Sequence, residues 1–185
     1  SHAKVLFVIG GGLGAVRVNH AVVESAAKLF SSVDKLHIFH VAGRGDEDAT
    51  RAAYSLKLKE DAMARVHVFG FTSDVARMSE AADVVITRAG ATNMAEFSQQ
   101  GKACIIIPNP VLTGGHQLKN ASVYYKSDAA IVLLEADLGN LAKTTAALLN
   151  DPKRQLELGE HLTTFAMPKA SESIAQLLIT IIEGQ

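Results

Sequence analysis

VVITRAGATNMAEFSQQGKACIIIPNPVLTGGHQLKN, residues Val84–Asn120, decides the fold. It reads as an apolar strand (Val84 to Thr87), a small-residue turn (Arg88, Ala89, Gly90, Ala91), a helix carrying Glu96, a second apolar strand (Ala103 to Ile107), and a Pro/Gly loop ending in His116 and Gln117. Two strand ends therefore deliver polar groups to one place. In an open parallel sheet, such ends form the binding crevice.

Upstream, Lys4 to Ile9 (KVLFVI) is a β-branched run that stops at Gly10. From Gly14 to about Phe30, apolar residues then recur at helical spacing: Val18, Ala21, Val22, Ala26 and Leu29. Leu36 to Val41 and Val66 to Phe69 repeat the strand pattern and close at Gly43 and Gly70, with a helix expected over residues 46–62 between them. A short helix over residues 74–82 leads into the central stretch. Downstream, residues 115–126 read as helix and Ala130 to Leu133 as a sixth strand. Beyond Asp137 the pattern is all helix, with Pro152 in the first turn of one and Ile174, Leu177, Leu178 and Ile181 on one stripe of the last.

Strands alternating with helices of this length require right-handed crossovers between parallel strands, and the commonest order for six is 3-2-1-4-5-6. The expected fold class is α/β, a Rossmann-like six-stranded parallel sheet with helices on both faces. On that order strands 1 and 4 are neighbours. The loop Gly10, Gly11, Gly12, Leu13, Gly14 then faces the Arg88–Ala91 turn across one crevice, each opening a helix whose free N–H groups suit a phosphate. Two such N-termini converging on one spot make a diphosphate site.

Composition agrees with this class. The 185 residues are 48% hydrophobic and only 5% aromatic, without Trp, the profile of Val/Ile/Ala-rich strands buried on both faces. A net charge of −1 with dispersed Lys, Arg, Asp and Glu offers no basic stripe for nucleic acid or an anionic membrane, which points to a small ligand. The single Cys104 sits inside an apolar strand and reads as a structural thiol in a reducing, cytoplasmic setting. Ser1 and His2 resemble the scar of a cleaved expression tag. Residues 3–185, opening directly on a core strand, read as one domain of a longer protein.

Gly10 to Ala15 also satisfies the G-x-G-x-x-A pattern of dinucleotide folds, but a nicotinamide fold needs an acid at the end of strand 2, where this chain has His40-Val41-Ala42-Gly43. NAD is therefore disfavoured. Glu96 has two readings, a carboxylate accepting from vicinal hydroxyls or an exposed acid favoured by the helix dipole. Arg88 reads equally as a phosphate ligand or the partner of an acid. His116, Gln117 and Asn120 lie where a loop becomes a helix, with two readings: an amide that donates and accepts towards a sugar hydroxyl, or ordinary capping by Thr113 or His116, which is favoured. The other histidines (His20, His37, His40, His67, His161) show no metal-ligand spacing, and there is neither a G-x-S-x-G elbow nor a Cys/His signature.

Taken together, Gly10–Ala15 with Asn19, the turn Arg88-Ala89-Gly90-Ala91-Thr92 followed by Glu96, His116-Gln117 with Lys119-Asn120-Ala121, and Met167-Pro168-Lys169-Ala170 resemble the C-terminal half of the MurG family. That family transfers N-acetylglucosamine from UDP-N-acetylglucosamine to lipid I, giving lipid II. The resemblance covers the chain from Lys4. It implies the donor-binding half of a GT-B fold, in which the glycine loop and the Ala89–Thr92 turn hold the diphosphate and Glu96 binds the ribose. Backbone near Phe71 and Thr72 would meet the uracil, while Gln117 and Asn120 orient the sugar. It further implies metal-independent donor binding, with acceptor site, general base and membrane-docking patch in an N-terminal half, and a peripheral position on the cytoplasmic face of the inner membrane. Many members carry Ser where Gly12 stands, so one phosphate-binding hydroxyl is missing and a lower phosphate affinity follows. The donor subunit of a two-chain N-acetylglucosaminyltransferase of dolichol-linked oligosaccharide synthesis, or a non-catalytic sugar-nucleotide sensor, are the alternatives.

Overall fold

All six expected strands form and all pair in parallel in a computed structural model, which describes residues 3–11, 15–111 and 115–183. They are β1 (Lys4–Ile9), β2 (Leu36–Val41), β3 (Val66–Phe69), β4 (Val84–Thr87), β5 (Cys104–Ile106) and β6 (Ile131–Val132), in the order β3-β2-β1-β4-β5-β6. The order is the expected one. β1 is the hub, pairing with β2 over its whole length and with β4 from Leu6↔Val84 to Ile9↔Thr87.

The central strands β1, β4 and β5 are apolar on both sides because both sides are covered, whereas β2 and β3 alternate buried with half-buried residues. Leu6, Val8, Ile38, Val84, Ile86 and Ile105 face one core, closed by α1 (Val16–Ser32), α2 (Glu47–Lys57) and α7 (Leu141–Leu149). Phe7, Ile9, Val85, Cys104 and Ile106 face a second, closed by α4 (Val75–Ala81), α5 (Ala91–Gln100) and α6 (His116–Lys126). α8 (Pro152–Thr163) gives Leu158 to the first core and Leu162 to the second. Each fully buried aliphatic side chain is worth about 1.5–3 kcal/mol, so the sheet is the rigid base from which the strand-end loops project.

Two departures among the helices have local causes. The helix expected over residues 46–62 is two, α2 and α3 (Glu60–Met63), because the chain is extended at Leu58 and Lys59 and turns Leu58 onto the first core. A 3-10 helix, Glu135–Asn140, precedes α7 where a continuous helix from Leu138 was expected. In α9 (Ala170–Glu183) the stripe of Ile174, Leu177, Leu178 and Ile181 stays exposed, since the helices already named close both faces of the sheet.

Candidate functional site

The site grows from the register of β1 on β4. Ile9 pairs with Thr87, so the glycine loop and the Arg88 turn leave the sheet side by side, roughly 5 Å apart. Gly10 is buried, and a Cβ there would stand 2.3 Å from that of Ala15, so only glycine lets α1 begin so close to β1. Gly11 follows at φ +95°, a backbone conformation that favours glycine. Gly12, Leu13 and Gly14 lie outside the described residues.

Helix starts in this chain differ in what meets their free N–H groups: Asp151 caps α8, and α4 and α7 have neither a side-chain cap nor an acid in the first turn. α2 and α3 carry acids in their first turn, Glu47 and Asp48 in one and Glu60 and Asp61 in the other. α1, α5 and α6 begin at the C-terminal ends of β1, β4 and β5 with no acid in the first turn and no side-chain cap. A helix start leaves four N–H groups without intrahelical partners, so unneutralised donors and positive dipole ends gather along this edge. Of the two caps expected for α6, Thr113 lies outside the described residues and His116 makes none. The N-cap of α6 is Gly115 at φ +66°, and His116 itself is exposed.

Side chains fix these starts by holding backbone groups. In the β4–α5 turn, the Thr87 hydroxyl donates to Arg88 O at 3.2 Å and Asn120 Nδ2 donates to Ala89 O at 3.1 Å. Ala89 is buried, Gly90 is the extended N-cap, and Ala91 and Thr92 open α5 on the surface. Gln117 Oε1 accepts from Asn109 N–H at 2.8 Å, fixing the loop after β5. Gln117 and Asn120 are both half-buried, each with one end of its amide engaged in the protein. Glu96 is exposed about one and a half turns into α5.

Asn19 points away from the crevice. It is 4% exposed; its Nδ2 donates to Ala42 O at 2.8 Å, and its Oδ1 lies 3.0 Å from His40 Nε2, whose other nitrogen lies 2.9 Å from Tyr54 Oη. A carbonyl only accepts, so the amide orientation is set and Oδ1 must accept from His40. His40 therefore carries its proton on Nε2 and accepts from Tyr54 through Nδ1. Burial pushes the imidazole down to about 4 and raises the Tyr54 phenol well above its usual range. This network ties the first turn of α1 to the end of β2 and to α2.

Phe71, 62% exposed, follows Gly70 at the end of β3 and carries the Arg44 guanidinium over its ring at 4.2 Å. Glu47 holds that loop by accepting from Gly70 N–H at 2.7 Å, and Thr72 Oγ1 accepts from Asp74 N–H at 3.0 Å. Arg88, by contrast, is buried. Its Nη1 donates to Ile107 O at 3.1 Å and pairs with Glu135 Oε1 at 2.7 Å, which answers the question left open by its sequence position.

Comparison with known proteins places this geometry. A model described as the glycosyltransferase family 28 C-terminal domain matches residues 5–174. The chain belongs to that family. It is 33% identical over 177 residues (95% of the chain, 46% of the relative) to the UDP-N-acetylglucosamine--N-acetylmuramyl-(pentapeptide) pyrophosphoryl-undecaprenol N-acetylglucosamine transferase of Geobacter sp. (strain M21). To the protein of the same name in Nitratidesulfovibrio vulgaris (strain DSM 19637 / Miyazaki F) it is 30% identical over 194 residues, covering 100% of the chain and 49% of that relative. The crystal structure of Acinetobacter baumannii MurG superposes with a TM-score of 0.81 at 26% identity, covering 95% of this chain and 52% of that one. The chain thus spans about half the length of these relatives, and its sheet is the C-terminal domain of a GT-B fold.

Within the family 28 frame, Phe71 and Thr72 follow β3, Glu96 and His116 are exposed on α5 and α6, and the other described sequence-expected residues fall into two groups. Gly10, Gly11, Ala89–Thr92, Gln117 and Asn120 converge at the ends of β1, β4 and β5, while Asn19 and Arg88 are turned into the protein. Sequence reasoning missed Glu135, Arg17, Arg44 and Glu47. None belongs to a motif, and the acid at Glu135 was overlooked because the helix was expected to begin three residues later.

Proposed function

We propose that this chain is the donor-binding half of a MurG-type enzyme, an inverting transferase that moves N-acetylglucosamine from UDP-N-acetylglucosamine to lipid I, giving lipid II of peptidoglycan synthesis. One observation carries the reading: the uncapped starts of α1 and α5 stand side by side at the switch point of the sheet. Both helix starts suit a diphosphate. The helix dipoles offer about 0.3–1 kcal/mol each, whereas each hydrogen bond from N–H to a charged oxygen is worth about 1.5–3 kcal/mol. The backbone donors therefore dominate. The relatives' names supply the sugar.

In this reading the glycine loop and Ala89–Thr92 hold the diphosphate, Glu96 takes the ribose hydroxyls, backbone at Phe71 and Thr72 meets the uracil, and His116, Gln117 and Asn120 face the sugar. The lipid I hydroxyl forms the new bond at the anomeric carbon as the bond to UDP breaks, its proton passing to a base on the N-terminal half. Charge on the departing diphosphate is met by oriented N–H groups, without a metal ion. The acceptor, the base and the membrane contact on the cytoplasmic face belong to that other half.

Calorimetric titration with UDP-N-acetylglucosamine, UDP-glucose and NAD, repeated on Glu96→Ala, tests the proposal. Selective binding of UDP-N-acetylglucosamine by the wild type, with binding lost in the variant, is the expected result. Tighter binding of NAD, or turnover of lipid I by this chain alone, would refute it.

A further inference from the structure

Glu135 opens the 3-10 helix after β6, and its carboxylate is only 6% exposed. Oε1 pairs with Arg88 at 2.7 Å and Oε2 with Arg17 at 3.0 Å. Three segments meet at one buried acid: the β4–α5 turn through Arg88, the end of β5 through the Arg88 bond to Ile107 O, and the first turn of α1 through Arg17.

The two arginines are not equivalent. Arg88 is 7% exposed and has a second fixed partner, so it neutralises Glu135 and cannot leave without stranding two buried charges. Arg17 is 69% exposed and borders a groove of about 670 Å³ between α1 and the 3-10 helix, which leaves its guanidinium room to move. One carboxylate cannot neutralise two guanidinium groups. The surplus positive charge therefore resides on Arg17, two residues past the N-cap of the helix that follows the glycine loop.

Building on the donor reading above, we propose that Glu135 is a positioning residue of the diphosphate site. It holds the β4–α5 turn in place through Arg88 and stations Arg17 at the start of α1, where Arg17 supplies the mobile cation for the nucleotide's diphosphate. The role assigned to Arg88 by its place in the turn thus divides: Arg88 shapes the turn, and Arg17 meets the anion.

The sign of one substitution tests this. If Glu135 were only a nearby negative charge, Glu135→Gln would tighten binding of an anion; as a positioning residue, its loss weakens it. NMR titration of the whole chain with UDP and with uridine reads affinity and folding together. Glu135→Gln is expected to weaken UDP about tenfold more than uridine. Arg17→Met is expected to lower the UDP-to-uridine affinity ratio roughly tenfold, as loss of one charge-assisted hydrogen bond implies, and to flatten the salt dependence of UDP binding. Should Glu135→Gln not fold, Arg88→Met with Glu135→Met removes both buried charges and is expected to show the same selective loss of UDP. Unchanged or tighter UDP binding by a folded Glu135 variant, or an unchanged ratio in Arg17→Met, would overturn the inference and leave the donor reading standing. A wild-type chain that binds no UDP would overturn both.

Discussion

Acidification should destabilise this protein through His40. The imidazole is fully buried between Asn19 and Tyr54, accepts through Nδ1, and titrates near 4 because burial disfavours its charge. In the unfolded chain a histidine takes up a proton near 6.5. The folded-state value is the lower one, so the contribution is fully present above pH 6.5 and is lost as pH falls towards 4. The whole shift corresponds to about 3 kcal/mol, of which roughly 2 kcal/mol has gone by pH 5. His67 is shifted in the same direction, first by burial and then by His37, so the wild-type profile alone would mix two groups. Urea unfolding of wild type and His40→Gln between pH 8 and 5 removes the mixture, since His67 is common to both. The variant should be less stable at pH 8, having lost part of the network, and the gap should close by about 2 kcal/mol at pH 5. A gap that stays constant over that range would refute the assignment of a neutral, buried His40.

Other expectations follow from packing and caps. A Cβ on Gly159 would lie 2.2 Å from Gly101 O, at the left-handed C-cap of α5, so Gly159→Ala should force α8 off α5 and cost about 1–3 kcal/mol, seen as a fall in Tm; wild-type melting would contradict the close approach. Asp151 caps α8 by accepting from Arg154 N–H at 3.0 Å, and Asp151→Ala should cost about 0.5–2 kcal/mol in urea unfolding. Burial pushes the Cys104 thiol up to about 12, so a disulfide reagent at pH 8 should react only as fast as the protein opens, and rapid labelling of the folded chain would show that the strand is exposed.

The sheet was legible because β4 and β5 are buried on both faces and read as apolar runs, while β2 and β3 alternate buried and half-buried residues, and each strand is ended by a glycine or a turn. Lys4–Ile9, Leu36–Val41 and Val84–Thr87 have the bounds read from sequence. Parallel pairing followed from the alternation of strand and helix, and the order was the commonest one for six such strands, with no contribution from any particular side chain. Helix boundaries were less legible where tertiary contact overrides local preference. No Gly or Pro marks the break at Leu58 and Lys59; the chain bends there because Leu58 reaches the core. The 3-10 helix likewise opens at Glu135, whose partner Arg88 lies on another element.

The same division runs through the site. Gly10 and Gly11 could be read directly, since close approach and positive φ are backbone demands that a sequence announces by omitting side chains. The partners of Arg88 and Asn19 could not, because Glu135, Ile107, His40 and Ala42 lie on other elements and meet them only once the sheet is assembled. Both buried networks do related work: one anchors α1 to the end of β2, the other joins α1 to the β4–α5 turn through Glu135. An anion held by backbone N–H groups needs those groups fixed before it arrives, since ordering two loops on binding would consume much of what the hydrogen bonds supply. Asn19, Arg88 and Asn120, marked as ligands by resemblance, are thus struts that hold the carbonyls of Ala42, Ile107 and Ala89, and on the proposed donor reading the backbone amides of the crevice are what meet the anion.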